Sequence, residues 1–221
     1  MGHSWDFASV LDNHEALLAG AAGTLRLFAI CLVLGLVLGL GVGLARSARA
    51  AWIRLPAGAF VEFFRNTPVL VQILWFYFAL PILLPFEVGK LAAAALGISL
   101  NSAAFAGEIF RGGIQSIEPG QWEGARAIGM TGAQAMRRVI LPQAVRRMLP
   151  ALTNRAIEVF KMTTLASAIA YVELLQQGRL IASLNFNPIE AYTAVAILFF
   201  ACLWPLVRLT YVLERRLARS D

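Results

Sequence analysis

Arg155, Glu158 and Lys161 recur at three-residue intervals within a mostly apolar stretch from Met148 to Tyr171. Charges in such a stretch are costly and face the interior of a helix bundle or water. The spacing predicts that they run along one side of a helix, with Glu158 able to neutralise either neighbour. What remains is a net positive stripe, suited to a carboxylate such as the one every amino acid carries. The same three residues could equally form an internal salt-bridge ladder that holds helices together. Gln72, Asn101 and Ser102 also lie in apolar surroundings, where each can hydrogen-bond a polar solute or satisfy a neighbouring helix. Nothing points to covalent or acid–base catalysis: no Ser/His/Asp, Cys/His or paired-carboxylate arrangement stands out. His3 and His14 lie in the amino-terminal segment, and Cys31 and Cys202 are far apart in apolar runs, so no metal ligand set is expected. The chain also lacks G-x-x-x-x-G-K-[ST], the phosphate-cradling loop of many ATPases.

The elements that must position these residues are membrane spans. Of the 221 residues, 59% are hydrophobic and only 14% charged, with a mean hydropathy of +0.69. Soluble domains carry about 45–50% apolar and about 25% charged residues. A helical crossing needs about 20 apolar residues. Five segments meet or approach this: Thr24–Ala45, Thr67–Leu84, Lys90–Phe110, Met148–Tyr171 and Glu190–Leu213. The second is expected to break near Pro81. Gly35, Gly39 and Gly43 repeat every four residues in the first, a spacing that lets a neighbouring helix approach closely. Arginines follow the first, third and fifth spans, whereas Arg26, Lys90 and Arg179 remain on the other side. The positive-inside rule therefore predicts an external amino terminus and a cytoplasmic carboxyl terminus. It also accounts for the formal charge of +6 without nucleic acid. The first span has no basic region before it and is expected to be retained.

Between the third and fourth spans lies "GQWEGARAIGMTGAQAMRRVILP", residues 120–142. Ala125, Ile128, Ala135, Met136, Val139 and Ile140 alternate with Arg126, Gln134, Arg137 and Arg138 in a helix-like manner. Gly129, Thr131 and Gly132 interrupt the pattern, predicting two short helices joined by a turn. Pro142 is expected to prevent simple continuation into the next helix. By periodicity alone, such a segment could rest on lipid headgroups.

The spacing carries a more specific message. Glu123, Ala127, Gly129, Val139, Leu141 and Pro142 resemble the cytoplasmic motif of bacterial ATP-binding-cassette (ABC) importer permeases: Glu-Ala-Ala, then Gly, then Ile-x-Leu-Pro. Gly124 replaces the first alanine of that motif and Val139 its isoleucine. "FFRNTPVLVQILWFYFALP" from Phe63, "GEIFRGGIQSIEPGQWEGARAIGM" from Gly107 and "FKMTTLASAI" from Phe160 are similar to permeases for polar amino acids, with a lean towards glutamate and aspartate. Met162 stands where relatives more often carry a polar residue.

The resemblance implies an all-α integral membrane protein of the type I importer permease fold, forming one domain over residues 1–221. It implies that residues 120–142 dock as a coupling helix on a separate ATPase. The expected partners are two ATP-binding subunits using ATP and Mg, a second permease chain and an external solute-binding protein, all at a bacterial inner membrane. This chain itself would bind no cofactor and would not be an enzyme. The rivals are a self-sufficient secondary transporter or channel, and a membrane-anchored scaffold. Dependence on ATP separates the first rival from an importer, and any solute flux excludes the second.

Overall fold

A computed structural model describes residues 5–83 and 85–217. Leu84, the expected end of the second span, lies outside the described residues, as do His3 and Arg219. After a single turn, α1 (Ala8–Asp12), the chain enters α2, His14–Arg46. This helix begins at His14 rather than Thr24 because "EALLAGAAG" is rich in strong helix formers, which propagate the helix before lipid is reached. Its 33 residues span about 50 Å at about 1.5 Å per residue. That exceeds the roughly 30 Å hydrocarbon core, so its ends project into the headgroup regions.

Helices α3 (Ala51–Asn66) and α4 (Val69–Leu83) meet at a bend of 104°. The expected break near Pro81 moves to Thr67–Pro68. Within α4, Trp75–Ala79 forms a π turn directly before Pro81, and helix resumes at Leu80. Proline lacks an N–H donor and crowds the carbonyl four residues back. A wider π turn relieves both conflicts, so the helix passes the proline. The same device operates at Pro142. Helix α7, residues 132–162, contains a π turn at Met136–Ile140 and continues to Met162, without the stop that proline suggested.

Helix α5 is Lys90–Gln115 and α6 is Pro119–Ala127. The fourth expected span, Met148–Tyr171, is not one α-helix. Beyond Met162 the chain tightens into a 3-10 segment, Thr163–Ile169, and turns at left-handed Ala170 (φ 52°). The Thr163 and Thr164 hydroxyls contribute by donating to the Phe160 and Lys161 carbonyls at 2.7 and 2.9 Å. Helices α8 (Leu174–Asn185) and α9 (Pro188–Leu217) complete the fold. Among the described residues, α2, α5 and α9 to Val212 are long and apolar enough to cross a membrane, and the bent α3–α4 pair would be a fourth crossing. Five crossings were expected. Helix α7 falls short on composition because it carries Arg146, Arg147, Arg155, Glu158 and Lys161, a set suited to a helix screened by its neighbours.

The main seam joins α2 to α5. A β-carbon at Gly35 would lie 2.6 Å from Ser102 Oγ, and one at Gly39 would lie 2.7 Å from Ala106 Cβ. One at Gly43 would lie 2.7 Å from the Gly107 carbonyl oxygen. The four-residue repeat therefore marks the contact where two backbones come closest, with dispersion and packing as the attraction. Leu27, Cys31, Ile73, Ile98, Val159 and Ile169 extend this seam into a core shared by α2, α4, α5, α7 and the 3-10 segment.

One carboxyl is sealed beside this core. Glu173 is fully buried before α8 and accepts hydrogen bonds from the amides of Leu175 and Gln176 at 2.9 and 2.6 Å. Burial outweighs those bonds and pushes its carboxyl up to about 7. The folded chain therefore holds this proton more tightly than the unfolded chain, whose carboxyl titrates near 4.3. Stability is greatest below the unfolded value and is lost as pH rises through about 7. The thermal midpoint of the purified protein is expected to fall between pH 5 and pH 8, by the equivalent of up to about 3 kcal/mol. Glu173→Gln should flatten that profile; an unchanged profile would exclude Glu173 as its source.

Candidate functional site

Two surfaces converge on α7. The first is the segment joining α5 to α7. Helix α6 ends in a Schellman turn: the Gly129 amide donates to the Arg126 carbonyl at 2.9 Å and the Met130 amide to the Ala125 carbonyl at 3.1 Å. This turn places Gly129 at φ +77°, a conformation that costs glycine least. Thr131 then caps α7 reciprocally, its hydroxyl accepting from the Gln134 amide while its own amide donates to Gln134 Oε1. The short α6 and the start of the long α7 are thus joined by a tight turn. The turn falls where the glycine pattern predicted it, but the second helix runs on to Met162 instead of staying short.

The inner face of this unit packs through Ile117, Ile140, Ala144 and Met148, with Trp122 and Met136 half-buried against them. Ala125 and Ala135 are buried too. Of the motif residues, Glu123, Ala127, Gly129, Leu141 and Pro142 are exposed, whereas Val139 is half-buried against the inner cluster. Val139 therefore anchors the unit to α5, and the other five lie open to solvent. Ile128, assigned by periodicity to the apolar face, is 73% exposed at the turn. It is a functional candidate the sequence reading missed; the signal was its place immediately before a glycine that ends a helix.

The second surface surrounds Arg155. Its side chain is only 3% exposed. Nη2 donates to Asn101 Oδ1 at 2.7 Å, Nη1 to Glu158 Oε2 at 2.8 Å and Nε to Ser102 Oγ at 3.4 Å. The charge also lies 4.5 Å from the centroid of the Phe105 ring. Such a fork, with every edge occupied, suits a structural keystone better than an open carboxylate receptor. Glu158 is 58% exposed at its side chain, and Lys161 is exposed with no ion pair among the described residues. The stripe does not stay on one side, because each three-residue step at 100° per residue drifts about 60° around the helix. Arg155 thus faces α5, while Glu158 and Lys161 rotate towards the open flank.

Asn101 and Gln72 join this network to the bend between α3 and α4. Asn101 Nδ2 donates to the Phe64 carbonyl at 2.7 Å. Gln72 Nε2 donates to the same carbonyl at 3.1 Å and to the Thr67 carbonyl at 2.9 Å. These carbonyls lose their helical partners at the bend, and buried amides replace them. Near the carboxyl-terminal end of α5, Glu108 pairs with Arg111 at 2.6 Å and with Arg46 of α2 at 3.0 Å. The Arg111 pair is local, three residues along the same helix; the Arg46 pair, 62 residues away, required the fold.

These features define a class: an all-helical membrane subunit with a polar core around a bent helix and a rigid helix–turn–helix connection between α5 and α7. Residues 19–219 match the family described as binding-protein-dependent transport system inner membrane component. The chain is 36% identical over 191 residues to a probable amino-acid ABC transporter permease protein, YckA of Bacillus subtilis (strain 168), covering 86% of this chain and 84% of that protein. It is 37% identical over 215 residues to the glutamine transport system permease protein GlnP of Escherichia coli (strain K12), covering 96% and 98% of the two chains. The crystal structure of an amino acid ABC transporter with histidines superposes with a TM-score of 0.90 at 34% identity, covering 97% of this chain and all of that one. The inward-facing MetNI methionine transporter shares the fold with a TM-score of 0.77.

The chain belongs to the family of inner-membrane permease components of binding-protein-dependent ABC importers. It is a multi-pass permease subunit with the type I importer fold, and not an enzyme; ATP is hydrolysed by a separate ATP-binding subunit, and a substrate-binding protein is the other partner of such a system. Family membership sets aside the self-sufficient transporter and the scaffold.

Proposed function

We propose that this chain forms one half of the pore of an importer for a polar amino acid, with glutamate or aspartate the first substrates to test. The exposed Glu158 and Lys161, held beside the buried Arg155, carry this reading. One carboxylate and one ammonium, a helical turn apart, complement the ammonium and carboxylate of a zwitterion. Arg155, Asn101, Ser102 and Gln72 set the shape of the path, and Arg155 holds Glu158 in place. The amino-acid names of the relatives support the substrate class.

A second permease chain, identical or homologous, completes the pore. Two ATP-binding subunits, using ATP and Mg, dock on residues 120–142 through Glu123, Ala127, Gly129, Leu141 and Pro142, with Ile128 as an added apolar anchor and Val139 securing the lever from within. The external binding protein delivers the solute. The amino terminus lies outside and the carboxyl terminus in the cytoplasm, in keeping with the distribution of arginines.

The test is uptake of labelled glutamate by proteoliposomes holding the complete importer, with aspartate, glutamine and histidine as competitors. Lys161→Gln and Glu158→Gln are each expected to lower uptake at saturating loaded binding protein by roughly 10- to 100-fold, the worth of one charge-assisted hydrogen bond. Unchanged uptake in both would remove this pair from the substrate path.

A further inference from the structure

The outer end of α9 carries two adjoining hollows that share Tyr192. The first, about 480 Å³, lies between α8 and α9 and is polar at Gln176, Arg179 and Ser183. The second, about 500 Å³, continues along α9 past Thr193, Ala196, Ile197 and Phe200. Residues 193, 196, 197 and 200 share one helical face, because steps of three and four return to the same side. That face is open: only 11% of the apolar window of α9 is buried within the chain, and Phe200 is 67% exposed.

The polar hollow lies where α9 starts, at Pro188, so it sits at headgroup depth and the apolar groove descends from it. From Tyr192 to Phe200 the groove runs about 12 Å at about 1.5 Å per residue. One leaflet of hydrocarbon is about 15 Å deep. Arg179 is exposed and makes no hydrogen bond or ion pair among the described residues. Lys90, another cation on the base-poor side, is by contrast engaged by the Ala170 carbonyl at 3.1 Å. Within the chain the Arg179 charge acts on the buried Glu173 carboxyl; its exposed guanidinium, above an apolar groove, matches a molecule with an anionic head and a long hydrocarbon tail.

The geometry points to a binding site for an anionic phospholipid, with its phosphate at Arg179, Gln176 and Ser183 and one acyl chain along Thr193, Ile197 and Phe200. Arg179 supplies the charge selectivity, Tyr192 marks the boundary between head and tail, and Ala196 leaves room for the chain.

The test is native mass spectrometry of the purified, delipidated full-length chain with dioleoylphosphatidylglycerol or dioleoylphosphatidylcholine. The anionic lipid is expected to be retained about fivefold better, the contribution of one basic side chain near a charged lipid. Arg179→Gln should erase that preference and Arg179→Lys should keep it. Ala196→Trp, at an exposed position, should fill the groove and lower retention of both lipids. Equal retention of the two lipids overturns the site, as does a preference that survives Arg179→Gln. Displacement of the lipid by inorganic phosphate would make Arg179 a simple anion site instead. If Ala196→Trp converts a dimer of this chain into monomers, the groove is covered by a second copy and the lipid assignment falls.

Discussion

Gly129→Asp is expected to leave the chain folded and inserted while abolishing uptake, with ATP hydrolysis by the assembled importer no longer stimulated by loaded binding protein. Gly129 lies at the tip of the turn, and a β-carbon there meets nothing within 4 Å among the described residues. Its φ of +77° makes any side chain moderately strained, and aspartate is among the residues that tolerate this conformation best. The local cost is therefore about 1 kcal/mol, small beside the stability of the domain. The large effect is expected from outside the chain, where a charged side chain would enter the surface proposed to dock on the ATP-binding subunit by close backbone approach. Disrupting the centre of such a contact costs upward of 2 kcal/mol, so uptake should fall at least ~30-fold. Gly129→Asn, with the same shape and backbone tolerance but no charge, should retain more activity. The measurement is ATPase activity and uptake on the same proteoliposomes; stimulated hydrolysis and normal uptake in Gly129→Asp would dismiss the docking assignment.

Arg155→Met should produce the other large effect, on both stability and transport. Methionine fills much of the same length but leaves Asn101 Oδ1 without its 2.7 Å donor and Ser102 Oγ without its 3.4 Å neighbour, deep between α5 and α7. Stranding buried polar groups costs about 1–3 kcal/mol each. For a chain of this size the thermal midpoint should drop by roughly 5–10 °C. Transport should fall at least as far as in Glu158→Gln, because Glu158 loses the 2.8 Å bond that fixes its carboxylate. Arg155→Lys should recover only part of this, since one ammonium cannot reproduce the planar fork towards Asn101, Glu158 and Ser102. The distinguishing readout is a double-mutant cycle with Asn101→Leu, followed by thermal unfolding. Strong non-additivity is expected, and additive losses would show that the two side chains do not act as a unit.

Both predictions show where information about this chain resides. The lever was legible in advance because its determinants are local: glycine at a helix end, Thr131 and Gln134 three residues apart, and alanines spaced to face inward. Prolines misled for an equally local reason. Pro81 and Pro142 each break an α-helix by the usual rule, yet in both places a preceding π turn absorbs the missing donor and the helix proceeds. The real break, at Thr67–Pro68, is held open by Gln72 and Asn101, and Asn101 comes from another helix.

By itself the sequence determined the medium, the helical class, the glycine seam of α2 and the turn between α6 and α7, because hydropathy, small-residue spacing and turn chemistry act over a few residues at a time. Only the tertiary structure decided which charges are occupied and which are open. Arg155, Glu158 and Lys161 look equivalent at three-residue spacing, but the drift of the helix turns the first towards Asn101 and Ser102 and leaves the last without an ion pair among the described residues. It likewise brought Arg46 to Glu108 across 62 residues. Whether a buried cation serves as a keystone or a receptor depends on the partners that packing brings to it, and no local pattern specifies those partners.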